Sequence, residues 1–155
     1  MILVYRKFRV YPVKAHEKPR SLFWDVLLFD TRESMQAYYQ EYGGTDDVAA
    51  VHCPMLCKKV SKSGKERLLP KLGELLFYVD SCGGGIVSHE FFHAVLWWAR
   101  RAGLKFRPDF WTIHDVDEAE ETLCQVHGSL VSQFYVGFYK HCKKVIVDET
   151  YESEY

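Results

Sequence analysis

The sequence predicts an α+β fold in one domain, on three observations. Runs rich in β-branched and aromatic residues occupy the first half of the chain. Two long helical patterns occupy the second half, and neither an internal repeat nor an interdomain linker divides the two. A chain of 155 residues fits one domain and buries about 70% of its unfolded surface, enough to hold together without disulfides.

The elements follow in order. Ile2 to Val13 reads as a first strand, the polar stretch Ala15 to Arg20 as a turn, and Leu22 to Phe29 as a second strand able to pair antiparallel with the first. Thr31 is placed to cap a short helix over Arg32 to Tyr42, and Gly43-Gly44 stops it. Val48 to Val60 reads as a third strand and Ser61 to Lys65 as a polar loop. Leu75 to Val79 is a compact apolar strand that runs into Asp80-Ser81-Cys82-Gly83-Gly84-Gly85. The longest helical pattern covers Ile86 to Arg101, with Gly103 as its stop and Arg100 and Arg101 suiting the negative end of the dipole. Lys105 to Asp115 reads as a loop. A second long helix spans Asp117 to Lys140 and opens on Asp117, Glu118, Glu120 and Glu121, which suit its positive end. Residues 1–147 form the domain, and the acidic stretch 148–155 reads as a flexible tail.

Composition excludes several classes. The net charge of −1 gives nucleic-acid binding no electrostatic support. No apolar run approaches the roughly 18 to 20 residues that span a bilayer. The opening Met1-Ile2-Leu3-Val4-Tyr5-Arg6-Lys7 has its apolar and basic parts in the reverse order of a secretory signal, so a cytoplasmic location is expected. Five cysteines at irregular spacing read as reduced thiols.

His89-Glu90-Phe91-Phe92-His93 is an HExxH motif. On a helix, positions four apart share a face, so two imidazoles reach one ion and the intervening glutamate can act as general base on a bound water. Chance gives roughly 0.02 such matches in a chain of this composition. Val87, Phe91, Ala94, Val95, Trp98 and Ala102 form an apolar stripe, while Ile86 and Trp97 flank the histidines. The helix is therefore expected to be buried nearly all round, and its two histidines and Glu90 to need partners that a metal supplies.

Ile86-Val87-Ser88-His89-Glu90-Phe91-Phe92-His93-Ala94, together with Glu120-Glu121-Thr122-Leu123-Cys124-Gln125-Val126-His127-Gly128-Ser129-Leu130, resembles the small HExxH proteins of phage and bacterial genomes, which are similar to zincin-like peptidase domains of the ImmA/IrrE type. The resemblance covers Ile86 to Leu130. It implies a minimal zincin-like fold, with a small, mostly antiparallel sheet packed on two long helices. It implies Zn²⁺ held by His89, His93 and a glutamate of the second helix. Glu121 is that glutamate by its register with Gly128, Glu120 is the alternative, and Glu118 stands nearby. Glu121, Gln125 and Gly128 share a helix face, and Gly128 is expected to let the two helices approach closely. Glu90 would be the catalytic residue of a metallopeptidase-type hydrolase, activating zinc-bound water against a peptide or protein substrate. In zincins a strand edge ahead of the metal helix pairs with extended substrate, and Leu75 to Val79 is the expected edge. An alternative of another class is a non-catalytic, zinc-stabilised binding or regulatory module. A third is a metal-free structural protein.

The remaining candidates take plainer readings. Cys53 and Cys57 read as core thiols, because structural zinc needs four close ligands. Gly83-Gly84-Gly85 reads as a turn into the metal helix, His114 and His127 as ordinary histidines. Two basic clusters, Lys58, Lys59, Lys62, Lys65 and Arg67, and then Lys140, Lys143 and Lys144, read as solvated faces.

Overall fold

The computed structural model describes residues 4–12, 22–45, 47–104 and 118–142, with backbone alone at 118 and 119. The expected Ala15–Arg20 turn, the Lys105–Asp115 loop with His114, and the 148–155 tail lie outside the described residues.

Strand β1 (Val4–Val10) pairs antiparallel with β2 (Phe23–Phe29). Helix α1 (Arg32–Glu41) follows, capped by the Thr31 hydroxyl, which accepts the Ser34 N–H at 3.2 Å. The expected third strand, Val48 to Val60, is broken into β3 (Ala50–Pro54) and β4 (Lys58–Val60). Strand β5 (Glu66–Leu68) folds back on β4, and β6 (Lys71–Tyr78) pairs antiparallel with β3 and parallel with β2. Helix α2 (Gly84–Ala102) and helix α3 (Glu118–His141) complete the described chain. The result is a mixed α+β fold whose four-stranded sheet, in the order β1-β2-β6-β3, is antiparallel at two of its three pairings.

Hydrophobic alternation explains the layers. Val26, Leu28, Leu75 and Phe77 face α2 and α3 in the main core, whose centre is the aromatic group Phe77, Phe91 and Phe134. Leu27, Phe29 and Leu76 face the other way and pack on Met35 of α1. Burial on both faces is why β2 and β6 read as continuous apolar runs.

The reading of β6 as a strand edge is corrected: this strand is paired on both sides, and β3 is the outer strand beside α2. Pro54 on β3 fits an edge, since a proline lacks the N–H that an interior strand needs. Gly73 of β6, with φ at +150°, lets the Cys53 carbonyl approach where a side chain would collide with it.

The turn into α2 is a 3-10 turn at Val79–Ser81, closed by the Ser81 hydroxyl donating to the Tyr78 carbonyl at 2.9 Å. Gly83–Gly85 take no left-handed conformation there. Gly103 does, at φ +69°, and ends α2 where the sequence places its stop. Gly128 is a second correction: it is exposed, with open space where a side chain would sit. The α2–α3 contact rests instead on Val126, Leu130 and Phe134. The close approach on α3 occurs at Gly137, against the Phe8 ring of β1. Among the described residues, no helix is long and apolar enough to cross a membrane.

Candidate metal centre

Helix α2 buries Val87, Phe91, Ala94, Val95, Trp98 and Ala99. Ala99 takes the place expected of Ala102, which is exposed. The opposite face is open to solvent: His89, Phe92 and His93 are exposed. The helix is therefore not buried all round, and of the motif's three polar residues only Glu90 is substantially enclosed, with 12% of its side chain exposed.

One helical turn brings His89 Nε2 and His93 Nε2 to 3.2 Å, with their rings nearly perpendicular. Two nitrogens bound to a tetrahedral zinc ion at the usual bond length stand about 3.3 Å apart. The pair thus already has the spacing of two adjacent ligands. In the metal-free chain, the same gap lets one ring donate an N–H to the other.

Glu90 points toward the sheet edge. Its Oε2 accepts the backbone N–H of His52 at 2.8 Å, and Oε1 lies 3.9 Å from His89 Nε2. Burial raises the Glu90 carboxyl above its ordinary value, against the lowering effect of the His52 N–H and of His89 and His93. A carboxylate placed between an edge strand and two imidazoles can hold or move a proton for a group bound beside it.

His52 is the residue that sequence reading missed. It sits on β3 and lines the groove beside Glu90 and His93 of α2. Burial lowers its pKa to about 4, with a contribution from His93, so the ring is neutral at pH 7. Its Nε2 is buried without a hydrogen-bond partner among the described residues. The available signal was Pro54, which marks an edge strand two residues away.

Two hollows flank α2. A groove of about 420 Å³ runs between β3 and α2 and is lined by Ala50, His52, Glu90, His93, Trp97 and Arg100. Trp97 fixes its floor by donating from Nε1 to the Leu72 carbonyl at 3.0 Å. The second hollow, about 410 Å³, lies toward α3 and is lined by His89, Phe92 and His127. His127 tethers the helices: its Nε2 donates to the Ser88 carbonyl at 3.1 Å.

Glu121 is exposed on α3, its Oε1 accepting from Gln125 Nε2 at 3.1 Å, and Glu120 is exposed beside it. Nothing is described of the Glu118 side chain. The structure brings His89, Glu90 and His93 together. Among the described residues, no group of three or more His, Cys, Asp or Glu gathers to hold a metal. Cys53 packs toward α1, and burial beside Glu74 and Glu90 pushes its thiol up to about 11. No protein-family model, curated protein or solved structure matches this chain.

Proposed function

We propose that the chain is a zinc-dependent metallopeptidase-type hydrolase on a minimal zincin-like fold. The observation that carries the proposal is the 3.2 Å separation of His89 Nε2 and His93 Nε2 on an open helix face, with Glu90 next to them. His89 and His93 are two ligands. Glu121 is the proposed third, with Glu120 as the alternative. The helices support this choice. They run antiparallel, because Tyr135 on α3 bonds the carbonyl of Cys82 just ahead of α2 while His127 bonds Ser88. The first turns of α3 are thereby carried toward the level of His93.

The chemistry such an ion supplies is Lewis-acid polarisation of a carbonyl and acidification of water. The chain supplies the rest. Glu90 takes a proton from the attacking water and returns it to the leaving amine. The groove along β3 receives the substrate. Val51 and Cys53 face β6, and the Met55 N–H donates inward to the Leu72 carbonyl, so the N–H of His52 is turned outward. An extended peptide can pair with that outward edge through the edge's carbonyls, the His52 N–H being held by Glu90 Oε2.

The alternative is a zinc-stabilised binding or regulatory module without turnover. Metal content separates the readings from a metal-free protein. One zinc per chain, lost in His93→Ala, is the expected result, and no zinc in either protein after zinc is offered overturns both metal readings. Glu121→Gln then tests the third ligand by loss of zinc affinity. Cleavage of a peptide library, abolished in Glu90→Gln, selects the hydrolase over the binding module.

A further inference from the structure

The two-stranded ribbon β4–β5 is not part of the main sheet, yet it continues the β3–β6 hairpin. The Met55 N–H donates to Leu72 and the Leu69 N–H donates to Cys57 at 2.8 Å, carrying the two chains outward from the end of the groove. Every residue from Lys58 to Leu69 is exposed. Lys58, Lys59, Lys62, Lys65 and Arg67 face the lone acid Glu66 in this segment, in a chain whose total charge is −1. Lys58 pairs with Glu66 at 2.9 Å. Lys59, Lys62, Lys65 and Arg67 have no ion-pair partner among the described residues. Between the cations, Val60 and Leu68 are 61% and 49% exposed, on a ribbon that holds no aromatic side chain.

We propose that this ribbon selects the substrate: an extended peptide lying along β3 is recognised through acidic residues that reach the β4–β5 cations. The proposal rests on the peptidase reading for the position of the peptide. Antiparallel addition, the slightly more stable pairing, lays the peptide's N-terminal half past Pro54 and onto the ribbon. Lys59 is seven residues beyond His52. The acidic residues therefore stand roughly 23 Å, about seven positions, N-terminal to the residue opposite His52. Exposed Val60 and Leu68 suit aliphatic neighbours in that peptide. A ribbon without aromatics has no platform on which bases stack, so single-stranded nucleic acid is the poorer occupant.

The test is binding of labelled 14-residue peptides, followed by fluorescence anisotropy on the full chain carrying Glu90→Gln so that none is consumed. The peptides are acidic in the N-terminal half, acidic in the C-terminal half, or neutral. The N-terminally acidic peptide is expected to bind about ten-fold tighter than the neutral one, with an advantage that fades as salt rises. The combined variant Lys59→Glu, Lys62→Glu, Lys65→Glu, Arg67→Glu removes that advantage. A Lys→Gln, Arg→Gln set, with circular dichroism, guards against a folding defect. Equal binding of acidic and neutral peptides, preference for the C-terminally acidic one, survival of the preference after charge reversal, or tighter binding of an oligodeoxynucleotide than of any peptide overturns the proposal. Peptide binding does not require turnover. If the ribbon preference holds and wild-type protein cleaves nothing, the peptidase reading fails alone; if wild type cleaves peptides without regard to acidic residues, the ribbon proposal fails alone.

Discussion

Two groups of ionisable side chains lie on opposite faces of the same sheet, and they are built differently. On the α1 side, Asp25 of β2 and Glu74 of β6 sit opposite each other in the ladder and are 3% and 5% exposed. Lys71 bridges both, at 3.0 Å and 2.5 Å, Lys7 reaches Asp25 at 3.1 Å, and the Tyr38 hydroxyl donates to Glu74 at 2.9 Å. Each buried carboxylate has more than one partner. On the α2 side, Glu90 has one backbone donor, the His52 Nε2 has no hydrogen-bond partner among the described residues, and His89 and His93 face solvent. Burying charge is costly unless it is paired, so the first group is built for the fold. The second group keeps its coordinating capacity, which is what a ligand site needs. Function in this molecule is therefore to be sought at the α2 face, where the ionisable groups are open to a ligand, and not where most charges cluster.

Glu90→Gln separates the two groups most strongly. Hydrolysis should fall by about 10²- to 10⁴-fold, while zinc content and the melting temperature stay near wild type, because glutamine still accepts the His52 N–H. Peptidase assay alongside elemental analysis checks this, and a large loss of stability with unchanged cleavage would reverse the assignment of the two groups. Lys71→Ala should do the opposite. It strips the shared cation from two buried carboxylates and costs about 3 kcal/mol of stability by urea denaturation, with zinc content unaltered.

Acid titration of the metal-free chain should separate the groups by pH window. His52 has its folded pKa lowered from 6.5 to about 4, so between those values the unfolded chain binds the proton and the folded chain does not. Its contribution is present above pH 6.5 and is lost as pH falls toward 4, at most roughly 3 kcal/mol. Thermal melts of wild type and His52→Asn should differ in slope across that window. Asp25 behaves differently. Burial acts to raise its pKa, but hydrogen bonds from Lys71 and Lys7 and their charges outweigh this and hold it below 3.8. Its folded pKa is depressed, so its stabilisation is full above 3.8 and is lost at lower pH. The smallest effect is Tyr38→Phe, which removes one donor from Glu74 and should cost about 1.5 kcal/mol in the same urea measurement.

Much of this was legible in the chain. The first two strands, the three helices, the Thr31 cap, the Gly103 stop and the apolar face of α2 followed from local rules, because caps, stops and periodicity act within one or two turns; the split of Val48–Val60 into β3 and β4 and the strand β5 did not. The 3.2 Å pairing of His89 and His93 followed from their spacing for the same reason. Sheet order did not. Which strand lies at the edge depends on which chain the apolar run of β6 pairs with across long sequence separations, and so Leu75–Val79 was assigned an edge that belongs to Ala50–Pro54. The exposure of His89 and His93, the open space at Gly128, and the His52 N–H held by Glu90 are likewise products of packing between distant segments. Local rules along the chain suffice for an α+β fold with two histidines and a glutamate on one helix. Which of them face solvent, and which strand lies beside them, emerges only on folding, because those outcomes are set by burial summed over the whole core.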